Sequence, residues 1–220
     1  DGTEEGTVMV ADIRPEGSYG SYPNSITAVG DTLYFSADDD IYGLELWKWN
    51  SLNGAELVKD IFPGNDSFGN PNSSYPYQGG FVEVDNLVYF VARDNSSTAT
   101  SSNYELWKTN GTEEGTTMVK DINSDGPSSV SYLTSFDNML YFSANEGDSG
   151  KELWKTDGTE AGTVMVEDIR PGSGSSSPAS LTVFGNALYF SANDGSPSNG
   201  GIELWKTNGT EDGTVMVDNI

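Results

Sequence analysis

The chain has 220 residues, enough for one sizeable all-β domain with a core of its own. Its 34 acidic residues outweigh 10 basic ones, and the resulting net charge of −24 repels nucleic acid and anionic membrane surfaces. Cys and His are both absent, which excludes disulfides, thiolate sites and imidazole acting as base or metal ligand.

No apolar run is long enough to span a bilayer, so direct membrane insertion is not expected. Residues from Asp1 onward show no signal-peptide pattern, and any leader is expected to have been removed. Gly, Ser, Asn, Asp and Thr fill the connections, the mixture expected of many short strands joined by turns.

In chain order, residues 1–13 read as an extra strand carrying Val8, Met9, Val10 and Ile13. Four repeats follow, at residues 14–61, 62–122, 123–169 and 170–220. Each divides into strands a to d. Strand a is Ser25 to Val29, Phe81 to Val84, Tyr132 to Phe136 and Ser180 to Phe184. Tight-turn pairs come next: Gly30-Asp31, Asp85-Asn86, Asp137-Asn138 and Gly185-Asn186. Strand b is the aromatic segment seen as Leu33-Tyr34-Phe35-Ser36-Ala37. Its alternation sends Leu33, Phe35 and Ala37 to one face and Tyr34 and Ser36 to the other. Strand c holds Glu-Leu-Trp-Lys at Glu45, Glu105, Glu152 and Glu203. Strand d ends each unit, as in Val164 to Ile169. Both faces of the b strands are partly apolar, as expected of a sheet sandwiched between two neighbours. A repeated four-stranded antiparallel meander of about 40–50 residues is the plan of propeller blades. The expected fold is therefore all-β, a β-propeller or propeller-like array, with a linear solenoid as the other reading.

The segment Glu152-Leu153-Trp154-Lys155-Thr156-Asp157-Gly158-Thr159 resembles the bacterial ELWxxDGT repeat family. Asn110 and Asn208 stand in place of the Asp in two copies, and the first copy, with Trp49 and Asn50, loses the turn. The resemblance implies secreted or surface-attached, propeller-like repeat proteins. It implies no defined activity.

Strand-d signatures number five against four a–b–c sets. Three explanations compete for the surplus: a piece of a longer array, a closed ring with one loose strand, or a strand donated to the next subunit. Donation through Val8, Met9, Val10 and Ile13 would be a head-to-tail contact that builds a filament.

The b–c loops are acidic, with Asp38, Asp39 and Asp40 in the first repeat, Asn145, Glu146 and Asp148 in the third, and Asn193 and Asp194 in the fourth. Oxygen-rich loops of this kind suit Ca²⁺. The same side chains also shape turns by bonding their own backbone. Trp47, Trp107, Trp154 and Trp205 recur once per repeat; exposed tryptophans would stack on sugars, but a large aromatic at a fixed place in every unit is expected to be a packing residue of the repeat core, its indole N–H satisfied by a neighbour. Asn65, Asn72, Asn95, Asn110 and Asn208 fit the N-glycosylation acceptor pattern. Paired carboxylates for glycoside hydrolysis would need one asymmetric cleft, which a symmetric repeat does not offer, so the chain is not expected to be an enzyme.

Two functions remain. The first is an extracellular or cell-surface structural protein (surface-layer, adhesin or filament subunit) that self-associates. The alternative is a propeller that binds carbohydrate or another ligand, with Ca²⁺ as a candidate cofactor.

Overall fold

The computed structural model describes residues 2–16, 19–76, 78–94, 103–196 and 201–218. The first sheet contains β1 (Asn24–Val29), β2 (Thr32–Asp38), β3 (Leu44–Asn50) and β4 (Gly54–Lys59). The second contains β5 (Gln78–Val84), β6 (Leu87–Arg93), β7 (Tyr104–Thr109) and β8 (Thr117–Lys120). The third contains β9 (Ser131–Phe136), β10 (Met139–Asn145), β11 (Lys151–Thr156) and β12 (Val164–Glu167). The fourth contains β13 (Ala179–Phe184), β14 (Ala187–Ala192), β15 (Glu203–Thr207) and β16 (Val215–Asp218). In each sheet the strands lie in sequence order, all antiparallel. The fold is thus all-β, four four-stranded sheets arranged as propeller blades.

Local chemistry explains the meander. Asp85-Asn86 and Asp137-Asn138 adopt left-handed backbone at both positions, the tight hairpin turn that short polar side chains tolerate. Strands b and c pair so that each aromatic faces its tryptophan directly: Phe35 with Trp47, Phe90 with Trp107, Phe142 with Trp154 and Phe190 with Trp205. A bulge interrupts each a–b ladder near its start, at Ser25, Gly79-Gly80, Tyr132 and Ser180, all with left-handed backbone.

The inner strands β1, β5, β9 and β13 follow one another side by side. Three cores fill the blade boundaries. Tyr34, Leu46, Val58 and Ile61 of the first unit pack against Phe81, Phe90 and Trp107 of the second. Tyr89, Leu106 and Val119 meet Phe142 and Trp154. Tyr141, Leu153 and Val166 meet Phe190 and Trp205. The expected alternation of strand b is what makes this work: Phe35 and Ala37 face one way and Tyr34 the other, into different cores.

The expected extra strand is corrected. Val8, Met9 and Val10 form no ladder and are exposed, Val8 at 70% and Met9 at 78%. Pairing needs a sheet edge in register. The segment is instead anchored by Ile13, which packs against the cluster of Phe35, Ala37 and Trp47 on the first blade.

Candidate functional site

The Glu of each Glu-Leu-Trp-Lys motif turns inward. Glu45 accepts hydrogen bonds from the backbone N–H of Ile61 (3.1 Å) and Ser74 (2.9 Å) and from the Ser74 hydroxyl (2.5 Å). Glu105 holds Ile122 (3.3 Å) and Ser128 (2.5 Å) in the same way, and Glu152 holds Ile169 (3.2 Å) and Ser176 (2.7 Å to its N–H). Each carboxyl clamps the crossing from one blade to the next. Burial pushes Glu45 up to about 8 and Glu105 up to about 7, outweighing the hydrogen bonds that favour the charged form. Glu152 is raised for the same reason.

The Lys of the motif and the Tyr of strand b reach the other end of the neighbouring blade. Lys48, Lys108 and Lys155 donate to the carbonyls of Gly111 (3.0 Å), Gly158 (2.8 Å) and Gly209 (2.7 Å) in the following blade. Those glycines lie against tyrosine hydroxyls. A Cβ would stand 2.6 Å from Tyr34 at Gly111, 2.4 Å from Tyr89 at Gly158 and 2.2 Å from Tyr141 at Gly209. The turns are fixed by the Asp or Asn oxygen, which accepts the N–H and hydroxyl of the Thr two residues on: Asn110 to Thr112, Asp157 to Thr159, Asn208 to Thr210. Only the oxygen is used, which explains why Asp and Asn interchange here.

At the opposite end, each d–a connection carries a left-handed residue just after a Ser whose carbonyl accepts from the end of strand b. These pairs are Ser21-Tyr22, Ser74-Tyr75, Ser128-Ser129 and Ser176-Ser177, with φ of 49, 51, 50 and 51° at the second position. The first two blades place tyrosine where the last two place serine. Tyr22 and Tyr75 line a cleft of about 320 Å³ together with Asn24, Asp38, Leu44 and Ser73. Asp38 is paired to Arg14 at 3.3 Å, and Arg14 also bonds Asp40. Arg14, Asp40 and Trp47 border a second, larger cleft of about 790 Å³ beneath the N-terminal segment. Arg93 stacks on Tyr75, 4.6 Å from the ring centre, and stiffens that wall. Reading the repeat for its common residues hid this site. The signal was present as Ser21-Tyr22-Pro23 and Ser74-Tyr75-Pro76, set against the serines of the later units.

The acidic loops are built from their own backbone. Asp38 accepts from Asp40 N–H, Asp39 from Ile41 and Tyr42, Asn145 from Gly147, Asn193 from Gly195 and Asp194 from Ser196. Glu146 accepts from the Ser149 hydroxyl, while Asp148 lies two residues on in the same turn. Among the described residues no three acidic side chains gather where they could hold a metal ion. All four tryptophans are buried, Trp107, Trp154 and Trp205 between blades and Trp47 on the first blade's other face beside Ile13, but the expected partner for the indole N–H is corrected: in all four it bonds no group among the described residues. Ring packing against the facing Phe decides their position. Of the glycosylation candidates, Asn65 and Asn72 use their amides on the carbonyls of Gly69 and Pro63, Asn110 and Asn208 sit in the exposed turns above, and Asn95 lies outside the described residues.

No family model matches the chain, and no curated protein matches it in sequence. Solved structures do match in fold. An acylaminoacyl peptidase from Pyrococcus horikoshii aligns over 92% of this chain and 28% of its own, with 11% identity and a TM-score of 0.53. An exo-β-1,3-galactanase from Phanerochaete chrysosporium aligns over 93% of this chain and 49% of its own, with 10% identity and a TM-score of 0.43. An α-L-arabinofuranosidase from Clostridium thermocellum aligns over 88% and 70%, with 12% identity and a TM-score of 0.38. Likeness at this level speaks to fold alone. It nevertheless corrects the expectation that the chain is not an enzyme. The acylaminoacyl peptidase, at a TM-score of 0.53, bears an enzyme name on a chain that shares this fold, so repeated blades are no ground for excluding catalysis. The premise of symmetry fails as well, because Tyr22 and Tyr75 distinguish two blades from the others.

Proposed function

We propose that this chain is a carbohydrate-directed β-propeller that takes a saccharide in the cleft between Tyr22 and Tyr75. One observation carries the reading. Two bulky tyrosines hold a left-handed backbone that serine occupies in the other blades, and both border one cleft. The left-handed backbone is common to all four connections, so what sets the first two apart is the ring each one carries. Aromatic rings beside a carboxylate, an amide and a hydroxyl supply an apolar face for a sugar ring and hydrogen-bonding groups for its edge. Asp38, whose oxygens are held by Arg14 and the Asp40 N–H, adds a fixed carboxylate to the cleft beside Asn24 and Ser73. The cleft supports the second of the two functions drawn from the sequence, and the likeness to sugar-cleaving enzymes is not what carries it.

The test is a glycan array followed by calorimetry on the strongest ligand, with Tyr22→Ser copying the third blade. Binding that falls at least tenfold in the variant supports the site. Equal binding by both proteins, or no glycan bound at all, rules it out. Chromatography of the incubated glycans shows in the same experiment whether bonds are cleaved.

A further inference from the structure

Three blade boundaries use one lock: a tyrosine hydroxyl against a turn glycine, a lysine on that glycine's carbonyl, and a methionine of the following strand d (Met118, Met165 or Met216) in the boundary core. Among the described residues, nothing fills the receiving half that the fourth blade presents. Tyr189 and Lys206 border an open cavity of about 340 Å³ with Asn186, Thr207 and Val215. Lys206 donates to no group among the described residues. Leu204 is 38% exposed where Leu153 is fully buried, and Val217 is 42% exposed where Val166 is 7%.

The other half of the lock is equally unfilled. Gly2 to Thr7 already fold as the same turn. Gly2 has φ 89°, against 86, 88 and 91° at Gly111, Gly158 and Gly209. Gly6 N–H donates to the Thr3 hydroxyl at 2.9 Å and the Thr7 hydroxyl to the Thr3 carbonyl at 2.8 Å, as Gly162 and Thr163 do with Thr159. Yet no tyrosine lies against Gly2, where a Cβ would meet nothing within 4 Å. Met9, at the position of Met118, Met165 and Met216, is exposed.

We infer that the Gly2–Thr7 turn of one copy seats on the fourth blade of a second copy. Gly2 packs on the Tyr189 hydroxyl and offers its carbonyl to Lys206, while Met9 covers the face beside Leu204. This contact is heterologous, so repetition extends it head to tail without closing. It differs from strand donation, since β16 keeps its place on β15 and the residues that dock are a turn and one methionine. The net charge of −24 opposes assembly, so screening by salt strengthens it.

Sedimentation velocity across a concentration series at high salt tests the inference. The wild-type chain sediments as growing oligomers. Gly2→Ala, whose Cβ would strike Tyr189, remains a monomer, with its circular dichroism and melting unchanged. Lys206→Met weakens association about tenfold or more through the lost charged hydrogen bond. Mixing Gly2→Ala with Lys206→Met joins the intact plug of the second to the intact socket of the first and yields dimers that stop there. A wild-type chain that stays monomeric at all concentrations overturns the inference. So does a Gly2→Ala protein that assembles as well as the wild type.

Discussion

Glu45 and Ser74 lie on opposite sides of a blade boundary and are joined twice, by the Ser74 N–H at 2.9 Å and its hydroxyl at 2.5 Å on one carboxyl group. That carboxyl is fully buried, as are those of Glu105 and Glu152.

Stability should therefore fall as pH rises from 5 to 8. Burial raises Glu45 from 4.5 to about 8 and Glu105 to about 7 in the folded chain. Below the unfolded value both states are protonated and the contribution is whole. Between the two values the unfolded chain has ionised and the folded one has not, so unfolding gains up to about 1.4 kcal/mol per pH unit for each group. Urea titrations at several pH values should show this slope, and Glu45→Gln, which cannot titrate, should reduce it by the Glu45 share while Glu105 keeps the rest. A pH-independent midpoint would contradict the assignment.

Removing the clamp outright has a different effect. Glu45→Ala leaves the buried N–H of Ile61 without an acceptor, at about 1–3 kcal/mol, and leaves the Ser74 N–H only the Leu44 carbonyl at 3.2 Å. The expected loss of about 1–3 kcal/mol should appear in denaturant unfolding at pH 4, below the unfolded-state value, where both states are protonated.

Gly158→Ala should destabilise by about 1–3 kcal/mol, from left-handed backbone and from a Cβ 2.4 Å from the Tyr89 hydroxyl. Tyr89→Phe deletes the clashing oxygen. In that background the glycine substitution should cost visibly less, and a double-mutant cycle measures the difference. Additive effects would show that the lock is a coincidence of packing.

Tyr22→Gly separates fold from function. Glycine adopts φ 49° without strain, so the melting point should hold or rise slightly while saccharide affinity disappears. A marked drop in stability would mean that the ring serves packing.

A chelator should leave the melting point unchanged, because Asp38, Asp39, Asn145 and Asn193 spend their oxygens on backbone N–H groups of their own loops. A fall in melting point on adding EDTA would restore the calcium reading.

The blades were legible because strand period, turn pairs and the Glu-Leu-Trp-Lys motif all repeat, and local and tertiary demands agree. The order of strands, the opposite facing of Tyr34 and Phe35 and the interior place of Trp107 follow from alternation alone. The fate of Val8 to Val10 was not legible, since a Val-Met-Val run reads as strand whether or not a sheet edge is in reach. The role of Glu45 was hidden for another reason: its partner Ser74 is 29 residues distant and sits in a connection with no pattern of its own. The tyrosine cleft escaped because it consists of departures from the repeat.

The locks between blades also dictate how this molecule comes apart. Each one couples only adjacent units, so stability is passed along a line of nearest neighbours and does not spread through a single shared interior. Units in the middle are latched on both sides. The fourth is latched on one, and β16 borders the open cavity. Amide exchange should accordingly be graded along the chain, slowest in β6 and β10 and fastest in β15 and β16, with fraying that begins at one end and travels inward.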